Sequence, residues 1–433
     1  MVPPGAGGMR VLYITYDGLT DPLGRSQILP YLFALSQRGH RITVVSCEKP
    51  DRLAADGQSV AGQCSDAGIT WHRLAYHRSP PVASTLYDVA RMRAETARLH
   101  RTGPFDLVHC RSYLPALVGL WLKRKFGIPF IFDMRGFWPE ERVESGDWKL
   151  THPIYRAVFA YFKSREKVLL REAGQIISLT TAAATVLAGR GAALAPISII
   201  PCCVDFDHFE APSLERTNAA RAFLGIADKR RVLAYLGSLG GNHLLDEMLD
   251  FYREFQAREP GAAFLFITQT DPEIVRVAAR RRGIDSNQFI VRGASREEVP
   301  FFLSAADLGV AFKRPAYSAL ACSPTKLGEM LATGIPVVAN IGVGDVAEIL
   351  MDTKGGASVE KFDAANYRAA IELIALLPTA LDLRSGARRW FDLDQGVTAY
   401  DRIYRSLASA DACAVESREA PTIAPPDDGG IAA

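Results

Sequence analysis

A short apolar strand followed by an amphipathic helix recurs along this chain, breaks off, and then begins again. That repetition constrains the fold more than any other feature. In the first array Arg10 to Tyr16 reads as a strand, Asp17 to Ser26 as a long loop, and Gln27 to Gln37 as a helix stopped by Gly39. Ile42 to Cys47 completes a strand-helix-strand unit. Leu107 to Cys110, Leu114 to Phe126 and Pro129 to Asp133 give strand, helix and strand, and Ile176 to Leu179 adds a strand before the helix start at Thr180 and Thr181. The segment I-I-P-C-C-V-D-F-D-H-F, residues 199 to 209, and the polar stretch Ser213 to Asn218 interrupt the pattern. It restarts with strands at Val232 to Leu236, Ala263 to Thr268, Phe289 to Val291 and Leu308 to Phe312, separated by helices at Leu244 to Arg258, 273 to 282 and Val299 to Ala306. The expectation is an α/β protein of two Rossmann-like domains facing each other across a cleft. The N-terminal domain covers 9–199 and the C-terminal domain 200–389, followed by a closing helix over 390–409 that packs back toward the N-terminal domain and a disordered tail over 410–433.

A chain of 433 residues exceeds the usual size of one hydrophobic core, which agrees with two domains. The formal charge of +2 argues against a dedicated nucleic-acid binder. No apolar run is long and uninterrupted enough for a bilayer span, and Met1 to Gly8 has neither a basic start nor a hydrophobic run, so a soluble chain without a signal peptide is expected. The seven cysteines form no C-x-x-C pair, and their odd number argues against a disulfide framework, so a cytoplasmic setting is expected. The eight histidines show no metal-ligand spacing, and no metal held by protein ligands is expected.

The densest chemistry lies in S-P-T-K-L-G-E-M-L-A-T-G-I-P, residues 323 to 336. Ser323 or Thr325 can cap a helix whose first amides hold an anion, and Lys326 and Glu329, three apart, can face one ligand. Such a site suits a nucleotide sugar, with phosphate at the helix start and hydroxyls on the carboxylate; the same residues also suit a capped surface helix with an ion pair. Loops after parallel strands face the ligand crevice, which places Gly18, Gly24, Arg25 and Gln27 there. The loop Asp133 to Glu141, D-M-R-G-F-W-P-E-E, lies on the same side, and its Asp133 and Arg135 form either an ion pair that locks the loop or part of the chemistry. From Leu150 to Glu172 aromatic and basic residues (Tyr155, Phe159, Phe162, Lys163, Arg165, Lys167, Arg171) read as core plus a solvated face, or as a basic surface for anionic lipid headgroups.

In G-E-M-L-A-T-G-I-P-V-V-A-N at 328 to 340, G-H-R-I-T-V-V at 39 to 45 and the hinge at 199 to 209, the chain resembles the retaining glycosyltransferases of family 4, which have the GT-B fold; the resemblance covers roughly residues 9 to 409. It implies that the C-terminal domain holds a nucleoside diphosphate sugar and the N-terminal domain presents the acceptor. Glu329 would take the donor ribose, and Ser323, Thr325 and Lys326 the diphosphate. Relatives place cations after the first strand of the donor domain, but here G-S-L-G-G-N-H-L-L at 237 to 245 has none. Gly237, Gly240 and Gly241 would let backbone approach the diphosphate closely, Ser238 is counted with the donor-binding residues of the same loop, Asn242 or His243 would donate hydrogen bonds, and Lys326, Lys313 and Arg314 remain to neutralise charge, with Lys326 foremost. The second acid of the family motif is Ala321 here, and a histidine of many relatives is replaced by Arg135.

The reaction so implied moves a sugar from a nucleoside diphosphate sugar to a hydroxyl with retention. Lys326 acts on the leaving phosphate, Arg135 on acceptor or developing charge, and Asp133 orients Arg135. No permanently bound cofactor is expected. The partners expected are the nucleotide sugar, a saccharide or lipid-linked acceptor and an anionic membrane face, with no nucleic acid. The alternatives are an enzyme like UDP-N-acetylglucosamine 2-epimerase, which shares the two-domain architecture, and a non-catalytic nucleotide-sugar-binding protein.

Overall fold

The computed structural model describes residues 8–191, 194–211, 213–377 and 380–419, with side chains through Leu407. Strands β1 (Arg10–Thr15), β2 (Arg41–Glu48), β3 (Thr70–Ala75), β4 (Leu107–Arg111), β5 (Phe130–Asp133), β6 (Gln175–Ser178) and β7 (Ile197–Ile199) form one sheet in the order β3-β2-β1-β4-β5-β6-β7. Strands β8 (Val232–Leu236), β9 (Ala263–Ile267), β10 (Phe289–Arg292), β11 (Leu308–Ala311), β12 (Val337–Asn340) and β13 (Gly356–Val359) form a second in the order β10-β9-β8-β11-β12-β13. Both sheets are parallel throughout. Helices cover both faces of each, so the strands are apolar on both sides: Leu12 and Ile14 enter one core and Val11 and Tyr13 the opposite one, while Val232 and Ala234 alternate in the same way with Leu233 and Tyr235.

Strand order reverses between β1 and β4 in the first sheet and between β8 and β11 in the second. In open parallel sheets ligands bind beyond the carboxyl ends of the strands at such a reversal. The two carboxyl edges meet. Phe137, beyond β5, stacks on Tyr317 with ring centroids 5.0 Å apart. The amides of Thr181 and Ala182, at the start of the helix Thr181–Ala188, donate to the carboxylate of Asp345 at 2.6 and 2.9 Å. Arg25 pairs with Glu297 at 2.8 Å. Ser318 donates its backbone N–H and its hydroxyl to Glu144.

Several local expectations change. The stretch Asp17 to Ser26 is not all loop: Pro22–Gln27 is a short helix, and a second begins at Leu29 because Pro30, lacking an N–H, suits a first turn rather than an interior. The loop Asp133 to Glu141 ends early, in the helix Trp138–Glu144, with Pro139, Glu140 and Glu141 in its first turn. The polar stretch from Ser213 opens the helix Leu214–Leu224, with the Ser213 hydroxyl accepting from the Arg216 amide. A closing helix expected from Trp390 is two, Ala380–Phe391 and Leu393–Glu419. Val397, Tyr400, Ile403 and Tyr404 pack with Val11, Tyr13 and Val44 of the first sheet. Helical backbone thus continues past 409 to Glu419, and 420–433 of the expected tail lie outside the described residues.

Gly24 is a packing residue in this fold. A Cβ there would lie 2.1 Å from the Gly18 carbonyl oxygen, so the turn Gly18–Leu19 rests on it. The turn is held from below by Glu48, which is 1% exposed and accepts from the amides of Leu19 and Thr20 and the hydroxyls of Thr20 and Ser46 at 2.5 to 3.2 Å. Removing that carboxylate strands two buried amides, so Glu48→Ala is expected to lower unfolding stability by about 2 to 4 kcal/mol in denaturant titration. A loss below about 0.5 kcal/mol would contradict the role assigned to Glu48.

Candidate donor site

The helix Thr325–Ala332 starts after Pro324, which has no side chain able to cap it. The expected cap fails because the Ser323 oxygen is engaged elsewhere: it accepts from the Cys202 amide at 3.1 Å and ties the hinge to this helix. The first amides of the helix, at Thr325 and Lys326, therefore have no capping side chain, which is the arrangement that favours an anion.

Lys326 turns from this helix toward β8. Its Nζ donates to the hydroxyl of Tyr235 at 2.9 Å and lies 4.3 Å from that ring's centroid. Among the described residues no carboxylate stands within 4 Å of it. Burial pulls its pKa down to about 7, the nearby Lys313 adding to the effect against the opposing influence of Cys322 and Glu329. Gly237, directly after β8, leaves the room: a Cβ would sit 3.1 Å from Nζ, and its φ of +115° suits glycine alone. Burial likewise raises Glu329 to about 7, against the pull of Arg296 and Lys326.

Around this pair the remaining residues divide. Lys313, directly beyond β11, donates to the Cys322 sulfur at 2.9 Å. His243 faces Lys326 and Lys313; burial first, then those two charges, drive its pKa to about 3, so its imidazole is neutral and offers one N–H. The Asn242 carbonyl accepts from the Arg314 amide at 2.8 Å, and its side-chain oxygen is buried without a partner. Ser238 contributes its backbone carbonyl, which accepts from Tyr235 at 2.6 Å, while the Ser238 and Arg314 side chains are exposed. Gly237, His243, Lys313, Lys326 and Glu329 are thus brought to the reversal point of the second sheet. Tyr235 and Arg296 join them without a motif to announce them; the readable signals are a tyrosine near the carboxyl end of a strand and a charged residue in the loop after β10.

On the facing domain, Asp133 is enclosed rather than open to the cleft. His109 Nε2 lies 3.5 Å from its carboxylate, Tyr400 donates at 3.4 Å, and Arg135 and Arg111 lie at 3.8 and 4.0 Å. Burial raises its pKa, but Arg135, His109 and Arg111 outweigh burial and hold it below the usual carboxylate range. Arg135, with φ of +56°, reaches the hinge and donates to the Cys202 sulfur at 3.2 Å. Ala321 is 3% exposed and packs in the apolar core of the N-terminal domain, so no carboxylate could stand there cheaply.

Residues 32–208 match the family described as Glycosyltransferase Family 4, and residues 230–375 the one described as Glycosyl transferases group 1. The chain is related to the GT-B glycosyltransferases. It is 26% identical over 291 residues to D-inositol 3-phosphate glycosyltransferase 2 of Catenulispora acidiphila, covering 64% of each chain. It is 26% identical to 2-deoxystreptamine glucosyltransferase of Streptomyces kanamyceticus over 86% of this chain and 94% of that one. The matched segment thus spans less than two thirds of the length of the first relative, and 61% of a similar enzyme from Segniliparus rotundus. The GT-B fold is shared with Anabaena Alr3699/HepE in complex with UDP-glucose, at TM-score 0.67 and 16% identity over 94% of this chain and all of that one. Sucrose-phosphate synthase from Thermosynechococcus elongatus superposes at TM-score 0.67 and 16% identity over 93% of this chain and 100% of that one.

The depressed lysine gives this GT-B relative a proton signature. Above about pH 7 Lys326 loses its proton, and a bound diphosphate favours the charged form and draws it back. Calorimetry with UDP, GDP and ADP in buffers of differing ionisation enthalpy is expected to show proton uptake at about pH 8 with the nucleotide that binds. Lys326→Met should abolish it; equal uptake in that variant would refute the assignment.

Proposed function

We propose that the chain is a retaining glycosyltransferase that moves a sugar from a nucleoside diphosphate sugar to a hydroxyl of a saccharide or lipid-linked saccharide, in cell-surface polysaccharide or glycoconjugate synthesis on the cytoplasmic side. One observation carries the reading: a half-buried ammonium, Lys326, lies next to uncapped helix amides, its pKa pulled down by desolvation and no carboxylate among the described residues within 4 Å of it. A cation so placed is costly unless a ligand anion completes it. A leaving diphosphate is such an anion, and Glu329 in the next helical turn is free to accept from ribose hydroxyls.

In this reading charge accumulates on the β-phosphate as the glycosidic bond breaks, and Lys326 with the Thr325 and Lys326 amides stabilises it more in the transition state than in the ground state. Asp133 is enclosed by His109, Tyr400 and Arg111 and serves as the partner that fixes Arg135, not as a nucleophile. Attack comes from the face that the leaving group vacates, and the donor phosphate takes the acceptor proton. The acceptors in the relatives' names, D-inositol 3-phosphate and 2-deoxystreptamine, are hydroxylated six-membered rings, which supports an acceptor of that general shape.

Membrane contact belongs to the same proposal. The helix Pro153–Glu172 exposes Ile154 and Tyr161 beside Arg156, Lys167 and Arg171, and Leu150 lies just before it. Lys163 is excluded from a lipid-facing role because Glu140 and Glu166 hold its ammonium at 2.6 Å each. Among the described residues no helix is long and apolar enough to cross a membrane. Flotation with vesicles rich in phosphatidylserine is expected to carry the protein at low salt and release it at high salt; no association at low salt would remove the membrane from the reading.

For the reaction itself, Lys326→Ala is expected to lower kcat by roughly 10²- to 10³-fold, about 3 to 4 kcal/mol of barrier. Glu329→Ala should weaken donor binding by about 1.5 to 3 kcal/mol, with a smaller effect on chemistry. Near-wild-type turnover and donor affinity in both variants would refute the donor site, and a sugar epimerised without acceptor would replace transfer by epimerisation.

A further inference from the structure

A second polar cluster occupies the carboxyl edge of the first sheet, across from the donor site, and the donor chemistry does not use it. Tyr16 directly follows β1, His77 lies two residues beyond β3, and Asp88 stands in the second turn of the helix Ala83–Thr102. Through Phe137 and Arg25, this edge is the one that touches the second domain.

Asp88 has a fully buried side chain and accepts from three donors: the His77 backbone N–H at 3.0 Å, His77 Nδ1 at 2.6 Å and the Tyr16 hydroxyl at 3.0 Å. A carboxylate can only accept, so the proton on the neutral imidazole sits on Nδ1 and Nε2 is left with its lone pair. The His77 side chain is 39% exposed, and among the described hydrogen bonds none involves its Nε2. One aromatic ring flanks it. Tyr87 meets the imidazole edge-on at 5.2 Å, is 55% exposed and has the Arg91 guanidinium 5.8 Å from its ring centroid, while Tyr76 packs with Tyr16 against the core. A surface histidine has little need of a buried carboxylate that fixes both its backbone and its ring. A histidine that must present one nitrogen in a set direction does.

We propose that His77, oriented by Asp88 and flanked by Tyr87, is an acceptor-positioning residue. Its Nε2 accepts a hydrogen bond from one hydroxyl of a ring-shaped polyol, whose C–H face packs on Tyr87. The inference rests on the glycosyltransferase reading and adds to it the residues that hold the acceptor; it assigns His77 no proton transfer. An exposed aromatic ring beside one fixed acceptor matches a ring that is apolar on its faces and hydroxylated at its rim.

The test uses the full chain, the nucleoside diphosphate sugars of UDP, GDP and ADP as donors, and D-inositol 3-phosphate, 2-deoxystreptamine and maltose as acceptor probes. His77→Ala and Tyr87→Ala are expected to raise the KM of the acceptor used at least tenfold, with kcat within about threefold and nucleotide affinity unchanged. His77→Gln, whose amide oxygen can accept the same bond, should recover part of the loss. Nucleotide binding without transfer to any probe, or an acceptor KM unmoved in both alanine variants, overturns the proposal while leaving the donor site standing. Absence of nucleotide binding in the unmodified chain overturns the donor reading and this proposal with it.

Discussion

A lysine ammonium half-buried with no carboxylate within 4 Å is costly for a protein to keep, and several residues of the second domain are arranged around one, Lys326. Lys326 is held by a tyrosine hydroxyl and the face of the same ring, interactions that steady a cation without cancelling its charge. A carboxylate in that place would have made a stable ion pair and an inert surface. Gly237 gives the side chain room, His243 stays neutral beside it, and the start of the helix Thr325–Ala332 lacks a cap. Each feature leaves positive potential unspent at one point, the reversal of strand order between β8 and β11.

The opposite domain is fitted to that point through contacts that also restrict motion. The Asp345 carboxylate caps the helix Thr181–Ala188 across the domain boundary, and Ser323 holds the Cys202 amide at the hinge. These bonds engage the Asp345 and Ser323 side chains, whereas the Lys326 ammonium meets only the hydroxyl and ring of Tyr235 among the described hydrogen bonds and ion pairs. The same closeness explains Ala321. Packed in the N-terminal core, this residue stands where a second acid would have to be desolvated.

Much of this was legible in the sequence, for definable reasons. Strands such as Val232–Leu236 were readable to the residue because they are buried on both faces and bounded by turn signals. The segment between Glu48 and Leu107 gave no expectation: its two long helices are polar on a wide face, and β3, an edge strand, is only half apolar. Lys326 and Glu329 could be paired from helical spacing, since three residues along a helix are neighbours in any fold. Tyr235, Arg296, Glu48 and the His77–Asp88 pair could not, because their partners lie on other elements and only the tertiary structure brings them within reach. Gly24 and Asp133 lie on the edge the sequence implies, and the structure adds that Gly24 packs against the Gly18 carbonyl and that Asp133 is enclosed by His109, Tyr400 and Arg111. A loop position does not reveal whether a group faces the cleft or the core.

The central claim is that the second domain grips a diphosphate at the start of the helix Thr325–Ala332, and a crystal structure with a nucleoside diphosphate bound tests it most directly. The expected result is a phosphate oxygen within hydrogen-bond reach of Lys326 Nζ and of the Thr325 or Lys326 amide, with the ribose on Glu329. A diphosphate lodged elsewhere, with Lys326 still bonded to Tyr235 and nothing more, would contradict it.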